Sequence, residues 1–285
     1  MQNQDLFYTL SKKTAKSILR DNIECLSKYA LIIIKPESLV SNKLEMVISL
    51  LKKHNFEIVY YKFMKINASQ VIALWENSWN NVSLERVLIN QKIYNSYYSL
   101  IIILKNSHSN YQFNELIFND ASTYITCLKG SANKAVRDKG TFRDILKPIN
   151  YIINYIHTSD DTENMLREIG VLFTVDEMFT IFERIKRKLF YSYEIIRKES
   201  TKFQSYSINF DLNEIAINNL LSTFYKELLN NPISNIPEVK VLINKAINTK
   251  LISLELLNIV LDNNIVPWDW NHIIIFSTYI RYTNN

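Results

Sequence analysis

Three glycines in 285 residues constrain this chain more than any other feature of its sequence. Glycine enters positive-φ backbone without steric cost, so a chain holding only Gly130, Gly140 and Gly170 must make nearly all its turns by other means. Each surviving glycine marks a place where the backbone itself has a task. Composition is otherwise ordinary: 47% hydrophobic and 21% charged residues argue against disorder, and the length suits one large domain or two small ones. A net charge of +5 permits anionic ligands such as nucleotides but does not indicate a nucleic-acid partner. Cys25 and Cys127 lie far apart without metal-ligand spacing and read as reduced thiols. The first nine residues are polar and lack the apolar core of a signal peptide. No uncharged apolar run reaches membrane-spanning length. A cytoplasmic protein is the expectation, with no membrane partner.

Hydrophobic patterning divides the chain into three regions. Residues 1–27 read as a helical extension, with Leu6, Leu10, Ala15 and Ile18 apolar among lysines. Residues 28–173 carry a mixed pattern. Ala30 to Ile34 is a β-branched run suited to a strand buried on both faces and stopped by Pro36. Asn42 to Glu45 has capping-box spacing, and Leu44, Val47, Ile48 and Leu51 follow at helical intervals. A strand is predicted over 56–66, helices over 68–79 and 84–98, and a third strand over 99–104. Residues 105–125 read as an irregular insertion, Tyr124 to Leu128 as a return to strand, and 130–144 as a polar loop with one helical turn. A short apolar stretch from Ile152 to Ile156 precedes His157, and a helix is predicted from Asp161 to Ile169, capped by Asp160 with Glu163 three residues on. This order predicts an α+β, ferredoxin-like βαββαβ sandwich.

From Thr174 the pattern turns wholly helical. Thr174 to Glu177 is a capping box, and Val175, Met178, Phe179, Phe182, Ile185, Leu189, Tyr193 and Ile196 form one stripe of a long amphipathic helix. A second helix is predicted from Asp211 to Asn230, and Pro237, Ser253 and Pro267 look like three further starts. Residues 174–285 are thus expected to form an all-α C-terminal domain.

The chemistry concentrates near His157. A lone histidine beside an apolar run is usually structural, but this one has Asn154 three residues before it, Ser159 two after, and Glu168 eleven after. Glu168 lies on a helix whose N-terminus begins beside the histidine. Helix N-termini favour anions, and a carboxylate that orients an imidazole decides which ring nitrogen can attack. Arg143 can clamp phosphate bidentately or be a solvated loop charge. Lys35, at the end of a buried strand, needs an anion: either a ligand phosphate or an acid such as Glu37. The other histidines, His54, His108 and His272, have no such company.

These residues, in this order, resemble the nucleoside diphosphate kinase family. Ile34-Lys35-Pro36-Glu37 is similar to its strand-end lysine motif, and Lys139-Gly140-Thr141-Phe142-Arg143-Asp144 to its Gly-Thr-Ile-Arg-Gly-Asp loop. Asn154-Tyr155-Ile156-His157-Thr158-Ser159-Asp160 is similar to its Asn-Ile-Ile-His-Gly-Ser-Asp signature, and Glu168-Ile169-Gly170-Val171-Leu172-Phe173 to its Glu-Ile-Gly-Leu-Trp-Phe ending. Gly140 and Gly170 fall inside these segments. The resemblance covers about half the chain. It implies transfer of the γ-phosphoryl of a nucleoside triphosphate, with Mg²⁺ on its phosphates, through phospho-His157 to a nucleoside diphosphate. Lys35, Arg143 and Asn154 would contact the nucleotide, Glu168 would hold the ring and Ser159 would support it. The resemblance also implies a homo-oligomer.

The departures lie in the phosphate cradle. The family's phosphate-binding threonine falls on Ala132, and its second phosphate-binding arginine falls near Thr126, with Arg137 or Lys134 as candidate replacements. Its hairpin tyrosine falls near Asn77, and Trp75 or Trp79 could stack on a base or simply pack. Thr158 stands in place of a glycine. Besides ordinary kinase activity, two readings therefore stay open: a phosphotransferase acting on another small-molecule acceptor, and a non-catalytic nucleotide-binding or scaffold module. An RNA-binding ferredoxin-like domain would need a clustered basic and aromatic strand face, which is absent from the sequence.

Overall fold

A computed structural model describes residues 5–106, 111–113, 115–203, 210 and 212–283. His108, Asp211 and the side chain of Asn77 lie outside the described residues. The chain divides into two compact units. One comprises Met1–Leu74, Tyr94–Pro148 and Asn154–Ser207; the other comprises Trp75–Ile93, Ile149–Ile153 and Ile208–Asn285. Residues 174–207, read from sequence as part of the helical C-terminal region, group with the sheet, as do residues 1–27.

The first unit begins with α1 (Leu6–Leu19), a 3-10 segment (Arg20–Lys28) and β1 (Tyr29–Ile34). Every residue of β1 is buried, as its unbroken apolar run requires. Pro36 opens the short helix α2 (Pro36–Val40), followed by α3 (Leu44–Lys53). The expected capping box at Asn42 does not form: Asn42 turns left-handed (φ 58°), and Lys43 caps α3 without a side-chain bond. Then come β2 (Phe56–Met64), α4 (Ala68–Leu74), α5 (Leu84–Ser96), β3 (Ser99–Asn106) and a small hairpin, β4 (Tyr111–Phe113) with β5 (Leu116–Phe118).

Tyr124 to Leu128 is not a strand. It lies in α6 (Ala121–Lys129), capped by Asp120 Oδ1, which accepts from Thr123 N at 2.8 Å. Tyr124, Ile125 and Leu128 are buried at helical spacing, a pattern that a short apolar run leaves ambiguous. The polar loop holds α7 (Phe142–Leu146) and leads to β6 (Ile156–Thr158) and α8 (Thr162–Leu172). Asp161, not Asp160, caps α8 by accepting from Asn164 N at 2.7 Å.

Four strands form one antiparallel sheet in the order β2-β3-β1-β6. With α3 and α6 as crossovers, this is the ferredoxin-like βαββαβ fold, with α4 and α5 inserted between β2 and β3. Side chains of a strand alternate between faces. Ala30, Ile32 and Ile34 join Leu100, Ile102, Leu104 and Ile156 in a core shared with α3, α6 and α7. On the other face α8 packs on β1 and α9 (Val175–Arg187) on β2, with α1 laid over both helices.

The Thr174–Glu177 capping box is present on α9. The long stripe beyond it is broken. Lys188 turns left-handed (φ 53°), Tyr191 N donates to Ile58 O at 2.8 Å, and the chain restarts as α10 (Tyr193–Ser200). A β-bridge to β2 thus replaces the middle of the expected helix.

In the second unit, most of α5 joins α11 (Glu214–Asn230), α12 (Pro237–Thr249), α13 (Leu254–Asp262) and α14 (Trp270–Thr278). Pro237 and Ser253 start helices as predicted, whereas α14 starts after Asp269 rather than at Pro267. His272 places Nδ1 2.9 Å from Asp269 and Nε2 2.9 Å from Glu227, so it ties α14 to α11. The C-terminal region is helical, and among the described residues no helix is long and apolar enough to cross a membrane.

Candidate active site

His157 sits at the middle of β6, paired with Ile33 of β1. It lies on the edge strand, next to the fully buried central strand, which fixes its backbone. Glu168, on the second turn of α8 and 5% exposed, places Oε1 2.9 Å from His157 Nε2. Its other oxygen accepts from the fully buried Ser159 hydroxyl at 2.6 Å. An ionised carboxylate can only accept, so this geometry puts the ring proton on Nε2 and the lone pair of a neutral imidazole on Nδ1.

A second cluster stands at the end of β1. Lys35 is 4% exposed and its ammonium lies 3.0 Å from Glu37 Oε1 and 3.2 Å from Asn154 Oδ1. The same Glu37 oxygen accepts from the backbone N–H of Asn154 and of Tyr155, each at 3.0 Å. Tyr155 is held at φ 72°, a costly conformation for a non-glycine residue. Its carbonyl accepts from Lys35 N at 2.9 Å and Ser38 Oγ at 2.6 Å, so both its backbone polar groups are tied to the 35–38 segment. The strand-end motif therefore shapes the bend that delivers His157, and Lys35 has Glu37 as its ion-pair partner.

Arg143, 8% exposed on α7, reaches the same bend. It donates to the carbonyls of Ile156 (2.8 Å), Gly130 (3.0 Å) and Asn154 (3.4 Å). Three of five N–H groups are thereby used, leaving one on each terminal nitrogen. Burial, and then the like charge of Arg137, lower its pKa to about 10, so it remains a cation at neutral pH.

Arg137 spans the loop that carries Ala132. It donates to the carbonyls of Ser131 and Ala132, each at 2.8 Å, and of Arg143 at 3.2 Å. Its guanidinium fixes the loop's shape, which accounts for its position without a ligand. Gly130 takes φ 75°, and a Cβ there would meet Thr141 Oγ1 at 2.3 Å. Thr126 does not open toward the cradle: Thr126 Oγ1 lies 2.6 Å from Thr158 Oγ1 and donates to Ser159 O at 3.0 Å.

All seven site residues expected from sequence fall in the first compact unit: His157, Lys35, Glu168, Ser159, Arg143, Asn154 and Arg137. The structure joins His157, Glu168 and Ser159 in one hydrogen-bonded group, and Lys35, Asn154 and Arg143 in another. Trp75 and Trp79 pack edge to face, ring centroids 6.2 Å apart, within the second unit. One participant was foreseen only as a partner for Lys35, and one not at all. Glu37 organises the bend, which its place within the lysine motif could have signalled. Lys129 ends α6 with its ammonium 3.4 Å from Thr158 O; reading 124–128 as a strand hid it.

A sequence profile of the nucleoside diphosphate kinase family matches residues 28–178, just over half the chain. A nucleoside diphosphate kinase of Histophilus somni (strain 2336) is 26% identical over 149 residues, covering 52% of this chain and 94% of the relative. Among solved structures, the Aquifex aeolicus nucleoside diphosphate kinase aligns over 52% of this chain and 95% of its own, with 16% identity and a TM-score of 0.41. That of Encephalitozoon cuniculi aligns over 51% and 88%, with 18% identity and a TM-score of 0.41.

Proposed function

The chain belongs to the nucleoside diphosphate kinase family, and on that premise we propose that it moves the γ-phosphoryl of a nucleoside triphosphate through phospho-His157 to a nucleoside diphosphate or another small-molecule acceptor. Membership supports nucleotide phosphotransfer in general; the route through His157 rests on one observation, the Glu168 carboxylate 2.9 Å from Nε2 with Ser159 fixing its other oxygen.

In this reading Nδ1 attacks the γ-phosphorus and the bond from phosphorus to the β,γ-bridging oxygen breaks. The electron pair leaves on the nucleoside diphosphate. The imidazole gains positive charge, which Glu168 offsets across the Nε2–H bond. In the second half-reaction an oxygen of the acceptor attacks phosphorus, and the N–P electron pair returns to Nδ1. Lys35 and Arg143 neutralise charge spread over the transferring oxygens, the main protein contribution to such reactions. Asn154 contacts the sugar or phosphates. Among the described residues no group of three or more His, Cys, Asp or Glu side chains is placed to hold a metal. Magnesium, as the family membership suggests, enters as part of the substrate, on the nucleotide's phosphates.

The competing reading, a nucleotide-binding or scaffold module, is favoured by the use of Arg137 and Arg143 to hold backbone carbonyls. Incubation with γ-labelled ATP separates the two. An acid-labile, alkali-stable adduct is expected; its absence would return the chain to the scaffold class.

A further inference from the structure

The segment 156–160 faces two buried cations that nearby acids offset only in part. Arg143 has no carboxylate within ion-pair distance among the described residues, and its bonds go to carbonyls. Lys129, whose side chain is 12% exposed, has one: Asp160, at 3.7 Å and itself 75% exposed. Burying an ammonium costs several kcal/mol, on the order of what only a close anion returns, and an exposed carboxylate at that distance is a weak partner. Thr126, one turn earlier on α6, bonds to Thr158 and Ser159. Residues three apart share a helix face, so Lys129 projects toward the same backbone, and its ammonium meets Thr158 O.

We propose that Lys129 is a phosphate-binding cation of this site, its ammonium contacting the phosphoryl group exchanged at His157 where Thr126 supplies no charge. The proposal rests on the function proposed above. An ammonium is a point charge and cannot clamp two oxygens in the plane of a guanidinium. It therefore suits one terminal phosphate oxygen, with Arg143 on the far side of the same group.

The electrostatics of the site agree with this geometry. Burial, then the like charge of Arg143 on α7, lower the Lys129 pKa to about 8, while Asp160 before α8 and Glu168 on it raise it only in part. A phosphate would restore the proton. The cation is fully present well below pH 8, and its contact weakens as pH rises through that value.

The test measures affinity for the β,γ-imido analogue of Mg-ATP, which keeps a γ-phosphoryl, and labelling by γ-labelled ATP from pH 6.5 to 9.5, in the full chain and in Lys129→Met, Lys129→Arg and His157→Gln. At pH 7 Lys129→Met should bind and label about ten- to a hundredfold less well, the value of a charge-assisted hydrogen bond. The wild type should lose affinity above pH 8, Lys129→Met should lack that decline, and Lys129→Arg should bind well throughout. If Lys129→Met matches the wild type in affinity, rate and pH profile while His157→Gln is unlabelled, Lys129 is not a phosphate ligand and the phosphotransferase reading stands. Lys129-dependent binding of the imido analogue without any labelled adduct would keep the cation and sink the phosphotransfer. No binding and no labelling by the wild type would overturn both. Should Lys129→Met fail to fold, the wild-type and Lys129→Arg pH profiles decide alone.

Discussion

Thr126 Oγ1 lies 2.6 Å from Thr158 Oγ1, so two positions at which the family resemblance leads one to expect other residues are hydrogen-bonded to each other. An arginine at 126 would run into the Thr158 side chain, whereas a glycine at 158 would leave it room. The two changes form one structural unit, and their effects should not be additive.

Thr126→Arg alone should give no gain in transfer from the phosphorylated protein to GDP, CDP and UDP, and Thr158→Gly alone should give none. The double variant should transfer about tenfold faster or better, since a restored charge-assisted contact is worth about 1.5–3 kcal/mol. A double-mutant cycle on transfer rates checks this; simple additivity would mean that the positions are independent.

Transfer to ordinary nucleoside diphosphates should be slow before such repair, because Ala132 offers no side-chain hydrogen bond. Ala132→Thr should speed it. Fast, unselective transfer to GDP, CDP and UDP by the unmodified chain would contradict this expectation.

Glu168→Gln removes the negative charge opposite Nε2 but keeps the shape. Labelling of His157 should fall by about ten- to a hundredfold, and Ser159→Ala should fall less, because Ser159 acts through Glu168. His157→Gln should abolish labelling with the melting temperature little changed. Labelling of that variant at the wild-type rate would move the nucleophile elsewhere.

Gly130→Ala should cost on the order of 1–3 kcal/mol of stability, read as a lower midpoint in urea. The new Cβ would collide with Thr141 Oγ1, and that hydroxyl is anchored to Asp138 O at 2.8 Å and fully buried. The loop carrying the Arg143 contact would shift with it.

A chain ending at Phe173 should melt far below the full chain or fail to fold. It loses α9, which packs on β2 and α1, and the Tyr191 bridge to Ile58. Circular dichroism of the two chains settles the point.

What the sequence made legible follows from how local each signal is. The buried β1 run, the Thr174 capping box and the His157–Glu168 pairing depend on short-range spacing and on a motif without gaps, and each could be read directly. Tyr124 to Leu128 misled because five apolar residues fit either period; the deciding feature was the Asp120 cap, outside the run. The stripe from Val175 to Ile196 misled because a long-range bridge from Tyr191 to Ile58 outweighed local helical preference. Lys129 and the Thr126–Thr158 pair were invisible for a related reason: they meet only once α6 lies beside β6. Glu37 was read only as a partner for Lys35, and its two bonds to the backbone N–H groups at 154 and 155 needed the fold.

Gly170 lies within the matched family segment, two residues past Glu168, and invites a catalytic explanation. Its surroundings give a mechanical one. A Cβ at this position would lie 2.3 Å from the carbonyl oxygen of Phe7, so α8 can accept α1 only because the side chain is absent. The helix that orients His157 is thus seated on its far side by the N-terminal helix. A residue that a motif comparison would credit to phosphate chemistry is here bound by a steric tolerance, and evolution could vary it only by moving the first helix of the chain.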